Sequence, residues 1–297
     1  MALEKWIKWA ILEAACKTST KLLQKSVGLA SINLSSTLIA TGIISLIQVA
    51  ASILMNPRCL QAKFKQIIAA CCFGAMAFIM TVLGFMVFLF NGDAGTSTFI
   101  MSLSVVPSTA IDVVFFKQQF TKKQLLGLVI AISSGFVILD CPLSLKQIAQ
   151  MPLWIWLSII MMFCYSINQS ITLVIKDMHP IAKNFWGALI SLGLVILGLI
   201  AFHQFGCSIE WQLLPSKFYW MNFIIGLIVV VMWSAGAISC QQGAKSVAIK
   251  TFIVNATYLS LVIVGGAMLF VEEQLTWFKI TGIGLYLVSF VLIKVED

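Results

Sequence analysis

Residues Phe115-Phe116-Lys117-Gln118-Gln119-Phe120-Thr121-Lys122-Lys123-Gln124-Leu125-Leu126-Gly127 recur 155 positions later as Phe270-Val271-Glu272-Glu273-Gln274-Leu275-Thr276-Trp277-Phe278-Lys279-Ile280-Thr281-Gly282. The two copies align without a gap, and the match continues at Ser134 with Ser289 and at Ile138 with Ile293. Each copy is a short polar turn between two long apolar runs. Each carries a Gly into the second run, where it lets helices approach closely. The charges of the two turns are opposite. Lys117, Lys122 and Lys123 mark the first, Glu272 and Glu273 the second. The positive-inside rule puts the first turn at the cytoplasmic face and the second at the outer face. One turn placed on both sides of a bilayer requires an odd number of spans per copy.

The composition demands a bilayer. The 297 residues are 60% hydrophobic and 10% charged, with a mean hydropathy of +1.02. Soluble chains average about 45–50% apolar and about 25% charged. A soluble fold of about 300 residues still leaves about a quarter of its surface in water. These values exclude an ordinary cytosolic enzyme, a disordered chain and a nucleic-acid-binding module. The net charge of +8 is then a topology signal. A span needs about 20 mostly apolar residues. Nine stretches qualify: Ile32–Leu54, Gln66–Phe90, Thr96–Phe116, Gln124–Leu139, Leu153–Ile175, Asn184–Phe202, Phe218–Cys240, Val247–Phe270 and Trp277–Ile293. A tenth, Trp6–Leu23, carries Lys8, Glu13, Lys17 and Lys21 and by itself reads as an interfacial amphipathic helix. Its charges and the lack of a cleavage site make it unlike a signal peptide. The runs are continuous rather than alternating, which argues against a β-barrel.

Two inverted copies of five spans need ten helices, so Trp6–Leu23 must cross. The expected fold is an all-α membrane protein of ten transmembrane helices in two inverted five-helix repeats, residues 1–141 and 152–297. With the N-terminus inside, thirteen Lys/Arg fall at cytoplasmic ends, Lys183 and Lys250 among them. Five fall outside, Lys21 and Lys25 among them, and Lys17 is left within the membrane. Inverted repeats are the signature of secondary transporters, whose substrate site lies between the halves near the midplane.

The pattern resembles the drug/metabolite transporter superfamily, in particular its EamA-type ten-helix carriers. Glu273-Gln274-Leu275-Thr276 with Gly282 matches the Glu-x-Leu-Thr turn and following Gly of that family. Gln118-Gln119-Phe120-Thr121 with Gly127 matches it except that Gln118 replaces the acid, and Pro107 stands where such carriers often have a proline. The charged first helix is a second departure. The resemblance covers essentially the whole chain and implies a carrier of small metabolites with both termini cytoplasmic. It also implies a cavity lined by helices 1, 3, 4, 6, 8 and 9. The size and layout are similar to S-adenosylmethionine carriers of intracellular bacteria.

Charges within a span are costly unless paired or wetted, so each is a functional candidate. Glu13 and Lys17 are four residues apart on one helix face, which Thr20 and Gln24 extend. They form either a mutually neutralised or snorkelling pair, or a cavity pair that meets the two charges of a zwitterion. Ser104, Ser108 and Asp112 share a face of the fourth span. Asp112 is a partner for a nearby Lys such as Lys117, a hydrated helix-end residue, or, with Glu13, a proton-coupling candidate. Tyr165, Asn168, Gln169 and Thr172 share a face of the sixth span, and Thr251, Asn255 and Tyr258 a face of the ninth. Such residues serve either as interhelical hydrogen bonds or as the few convergent polar groups of a pocket. Trp233 and Phe78 offer stacking faces or plain packing.

His179 and His203 lie in loops on opposite sides and make no metal pair, and no cysteine spacing suggests ligands. Cys141 and Cys207 both fall in outer loops. No cofactor is expected. Gly243-Ala244-Lys245-Ser246 is not a P-loop, and no HExxH or GxSxG occurs. The expectation is a non-enzymatic secondary transporter or exchanger in the cell membrane. Its partners are membrane lipid and a small polar, zwitterionic molecule such as an amino acid or an S-adenosylmethionine-like compound, with no nucleic acid. An exporter of amino acids or drugs in the same fold is the near alternative, and a channel or membrane scaffold the distant one.

Overall fold

The structure is a computed structural model and describes residues 4–28, 33–55, 57, 61–119, 121–139, 151–205, 214–244, 246–271 and 276–294. Cys141, Cys207, Glu272, Glu273, Arg58, Lys146 and Lys245 lie outside the described residues. The described chain is all-α. Its helices are α1 (Lys5–Gly28), α2 (Leu34–Met55), α3 (Phe64–Leu89), α4 (Ala94–Ser102), α5 (Val105–Val114), α6 (Lys122–Leu139), α7 (Leu153–Val174), α8 (Pro180–Gln204), α9 (Ser216–Gln241), α10 (Val247–Leu269) and α11 (Trp277–Lys294). Since α4 and α5 continue one another as a single run, there are ten rods. Seven are long and apolar enough to cross a membrane: α2, α3, α4 with α5, α7, α8, α9 and α10. The chain is therefore a multi-pass membrane protein.

The break between α4 and α5 follows from Pro107. Proline has no N–H to give to the carbonyl of residue i−4, here Leu103. That carbonyl accepts instead from the Val106 N–H at 2.9 Å, a tighter turn that frees the Ser102 carbonyl. A freed backbone group is tolerable at membrane depth only when protein re-satisfies it. Asn255 Nδ2 on α10 donates to the Ser102 carbonyl at 3.1 Å, and the Tyr286 hydroxyl on α11 donates to it at 3.2 Å. Ser166 Oγ on α7 donates to the Ser104 carbonyl at 2.8 Å. Three helices thus hold one kink.

Polar and apolar residues are distributed as lipid requires. On α2, Ser35, Ser36, Thr41, Ser45, Gln48 and Ser52 are buried while Leu46, Ile53 and Leu54 face out. The buried stripe meets α8 and α9, and Ser45 and Ser191 share a hydrogen bond of 2.8 Å across it. Where α3 crosses α8, a Cβ on Gly74 would run into the Gly187 carbonyl, so only glycine permits that approach. Gly127 and Gly282, the glycines of the two turn motifs, are buried on α6 and α11, which pack on each other.

The charged first segment is a 24-residue helix inside the bundle. It packs against α9, α10 and α3 and does not stand apart at a surface. The other main pairings are α3 with α7 and α8, α2 with α8 and α9, and α4 and α5 with α7 and α10.

Candidate functional site

A cavity lies where α1, α3, α7, α9 and α10 converge, with about 880 Å³ of atom-free space, its mouth included. Met101 on α4, Ile44 on α2 and Lys183 on α8 complete the wall. The rods expected from the family resemblance all contribute, together with one residue each from α2 and α8.

The centre is a closed polar triangle. Glu13 on α1 forms an ion pair with Lys250 on α10, Oε2 to Nζ at 3.1 Å. Gln169 on α7 bridges them, donating from Nε2 to Glu13 Oε1 at 2.8 Å and accepting from Lys250 Nζ at 2.8 Å. Lys250 also donates to the Gly236 carbonyl on α9 at 3.0 Å. Gly236 is small for a reason, since a Cβ there would stand 3.0–3.2 Å from the Glu13 carboxylate. Three helices therefore meet through one carboxylate, one ammonium and one amide.

Of the alternatives for Glu13 and Lys17, both residues line the cavity, and Glu13 pairs with Lys250 rather than with Lys17. One turn above, Lys17 holds neutral partners. Its Nζ donates to Asn255 Oδ1 at 3.2 Å and lies 3.6 Å from the Tyr165 ring centroid and 4.3 Å from that of Tyr258. Aromatic faces stabilise a desolvated ammonium without cancelling its charge. Another turn up, Lys21 donates to Ser97 Oγ at 3.0 Å and faces the Phe88 ring. At the opposite end Lys183 lies 4.2 Å from the Phe73 ring, which packs edge-on against Trp233 with centroids 4.7 Å apart.

Of the residues singled out in the sequence, Glu13, Lys17, Thr20, Gln24, Tyr165, Asn168, Gln169, Thr172, Trp233 and Tyr258 line the cavity. Ser104, Ser108, Asn255 and Phe78 do not. Ser104 and Asn255 hydrogen-bond each other at 2.9 Å at the α4–α5 break, where Asn255 serves as interhelical glue. Phe73, rather than Phe78, presents its ring to the space. Asp112 is away from the cavity and does not turn to Lys117. It caps α10: Ala248 N donates to it at 2.7 Å, Val247 N at 3.2 Å and Ser246 Oγ at 2.8 Å. A carboxylate there satisfies orphan N–H groups and complements the helix dipole.

Lys21, Lys183 and Lys250, counted in the sequence as flanking charges, are buried cavity residues at 2–3% exposure. Lys183 and Lys250 are each the fourth residue of their helices, α8 and α10. A cation in a first helical turn opposes the dipole. That placement is the one local signal that they were not ordinary flanks. No group of three or more His, Cys, Asp or Glu able to hold a metal occurs among the described residues.

No family model and no curated protein matches this chain. A solved structure described only as "Crystal structure of protein" is similar over 99% of this chain and 98% of its own, with a TM-score of 0.71 and 11% identity. At that identity the likeness defines a shared fold for the whole chain and carries nothing about activity.

Proposed function

We propose that the chain is a secondary carrier of a small polar metabolite, of the drug/metabolite transporter type, working by alternating access in the cell membrane. The observation that supports this most is the cavity itself. A bundle with an apolar exterior spends its interior on an ion pair and further ammonium groups around a central cavity. Intramembrane charges of that kind mark substrate or ion pathways.

In this reading residues 1–141 and 152–297 are inverted repeats, with both termini cytoplasmic. The helix pairing supports it, because exchanging the first five rods with the last five maps the pairs onto one another. The α1–α9 pair becomes α7–α3, α2–α9 becomes α8–α3, and α1–α10 becomes α7 with α4 and α5, while α2–α8 and α6–α11 map onto themselves. Rocking of one half against the other would open the cavity to each side in turn. With no P-loop, the driving force is a gradient or counter-exchange.

Glu13 and Lys17 would serve a zwitterion only if Lys250 released Glu13, so the charge of the substrate is a separate question. The test of the carrier reading is counterflow. Purified protein in liposomes should take up a labelled metabolite saturably, and faster when the lumen is preloaded with the same unlabelled compound. Flux that rises linearly with concentration and ignores preloading would define a channel instead.

A further inference from the structure

The balance of charge in the cavity points to the substrate class. Glu13 is the one carboxylate among the described cavity-lining residues, and Lys250 takes it at 3.1 Å. Lys17, Lys183 and, a turn further along α1, Lys21 on Ser97 Oγ remain. The contacts of Lys17 and Lys183 are an amide oxygen and tyrosine rings for the first and the Phe73 ring for the second. None of these carries a negative charge. Neither ammonium has a carboxylate at ion-pair distance among the described residues. Ammonium groups held in a low-dielectric interior are stabilised by a counter-charge.

Other cavity groups have the same polarity. The hydroxyls of Thr20 and Tyr165 are buried, line the space and have no hydrogen-bond partner among the described residues. Both can donate to an oxyanion. Asn168 Oδ1, also without a partner, can accept from a substrate hydroxyl or amide. Much of the remaining wall is apolar and adaptable, with Met80, Met161 and Met232 beside Trp233.

We propose that the cavity binds an organic dianion, a phosphate monoester or dicarboxylate on a compact body, whose two negative charges are met by Lys17 and Lys183. This rests on the carrier reading above and narrows it. It replaces the zwitterion expected from Glu13 and Lys17. In the empty cavity Lys17 and Lys183 lack the counter-charge that a bound dianion supplies. Closing the empty cavity to water is therefore the costlier step, which favours exchange of one anion for another over net flux.

The test separates binding from transport. Full-length protein in detergent is titrated with phenyl phosphate, succinate, glutamine, lysine and S-adenosylmethionine while thermal unfolding is followed. A ligand that binds the folded state raises Tm. Phenyl phosphate or succinate should raise Tm by several degrees, and the tighter of the two distinguishes a phosphate from a dicarboxylate site. Lys17→Gln and Lys183→Gln should each weaken that response at least tenfold, while Lys183→Arg retains it. Stabilisation by glutamine, lysine or S-adenosylmethionine alone, or by none of the five, overturns the proposal. An anion that stabilises the protein but shows no counterflow in liposomes leaves the dianion site standing and removes the carrier. Counterflow of glutamine without any anion response does the reverse. Charge selectivity on the unmodified chain decides the matter even where a Gln variant fails to fold.

Discussion

Helices α1 and α7 face each other across the same cavity with different chemistry. α1 brings charge: Glu13, Lys17 and Lys21 at intervals of four residues. α7 brings only neutral polar groups to the space, Tyr165, Asn168, Gln169 and Thr172, on a helix without a charged residue. The charged wall cannot exist without the neutral one. Gln169 completes the Glu13–Lys250 pair and Tyr165 covers Lys17. The neutral wall could face a pocket in any protein, whereas α1 without its partners could not be buried at all.

The sharpest way to break this asymmetry is to remove the carboxylate. Glu13→Gln leaves Lys250 in the interior without its counter-ion. Breaking a buried pair by deleting one partner costs about 3–5 kcal/mol. Thermal unfolding should show a large drop in Tm, and uptake should fall with it. Adding Lys250→Met to Glu13→Gln should recover part of the stability, though not the transport. If the double variant were less stable than Glu13→Gln alone, the pair would not be a unit.

The same test on the neutral wall should cost less. Gln169→Leu leaves Glu13 and Lys250 in contact but removes two hydrogen bonds, and leaving buried partners unsatisfied costs about 1–3 kcal/mol. The expected order of Tm is wild type, then Gln169→Leu, then Glu13→Gln. A loss at Gln169 equal to that at Glu13 would mean that the amide, not the ion pair, organises the cavity.

Asn255→Leu probes the kink behind Lys17. It removes the amide from the Ser102 carbonyl and from Lys17 at once. Tyr286 still donates to that carbonyl, so the expected loss is nearer about 1 kcal/mol. Stability should change modestly while uptake changes strongly, because Lys17 loses the Asn255 Oδ1 acceptor. Equal uptake by variant and wild type would separate the kink from the site.

Seen from the sequence, the bundle was far more legible than the chemistry inside it. The positions of the seven apolar spans follow from local composition, and the packing of α1 inside the bundle agrees with the expectation of ten rods. Ten of the singled-out residues line the cavity because helical spacing puts residues such as Tyr165, Asn168, Gln169 and Thr172 on one face regardless of what they meet. Partners are another matter. Glu13 and Lys250 are separated by most of the chain, and no local pattern joins them. Lys183 and Lys250 were hidden by the positive-inside reading, because a lysine near a helix end counts equally as a flank or as a buried cavity residue. Asn255 and Asp112 reached backbone groups exposed by a proline kink and a helix end, and a sequence shows the kink without showing who satisfies it.

The smallest effect lies outside the cavity, at the ion pair between Asp93 and Lys279, 3.3 Å apart and partly open to solvent. Asp93 caps α4 through the Thr96 N–H. Burial pushes its carboxyl up, but hydrogen bonds from Thr96 and the nearby Lys279 ammonium outweigh this and hold it below the ordinary carboxylate value. A lowered folded value stabilises above the unfolded pKa of about 3.9 and is lost as pH falls through the folded one. Lys279→Gln should therefore reduce Tm slightly at pH 7, by the equivalent of at most about 0.5–1 kcal/mol for a solvent-screened pair. The gap between variant and wild type should close as the pH is lowered past that range, and 1 M salt at pH 7 should shrink it as well. The Glu13–Lys250 pair, buried within the bundle, should respond much less to the same salt. A Lys279→Gln penalty that ignores both acid and salt would mean that the side chain acts through packing and not through charge.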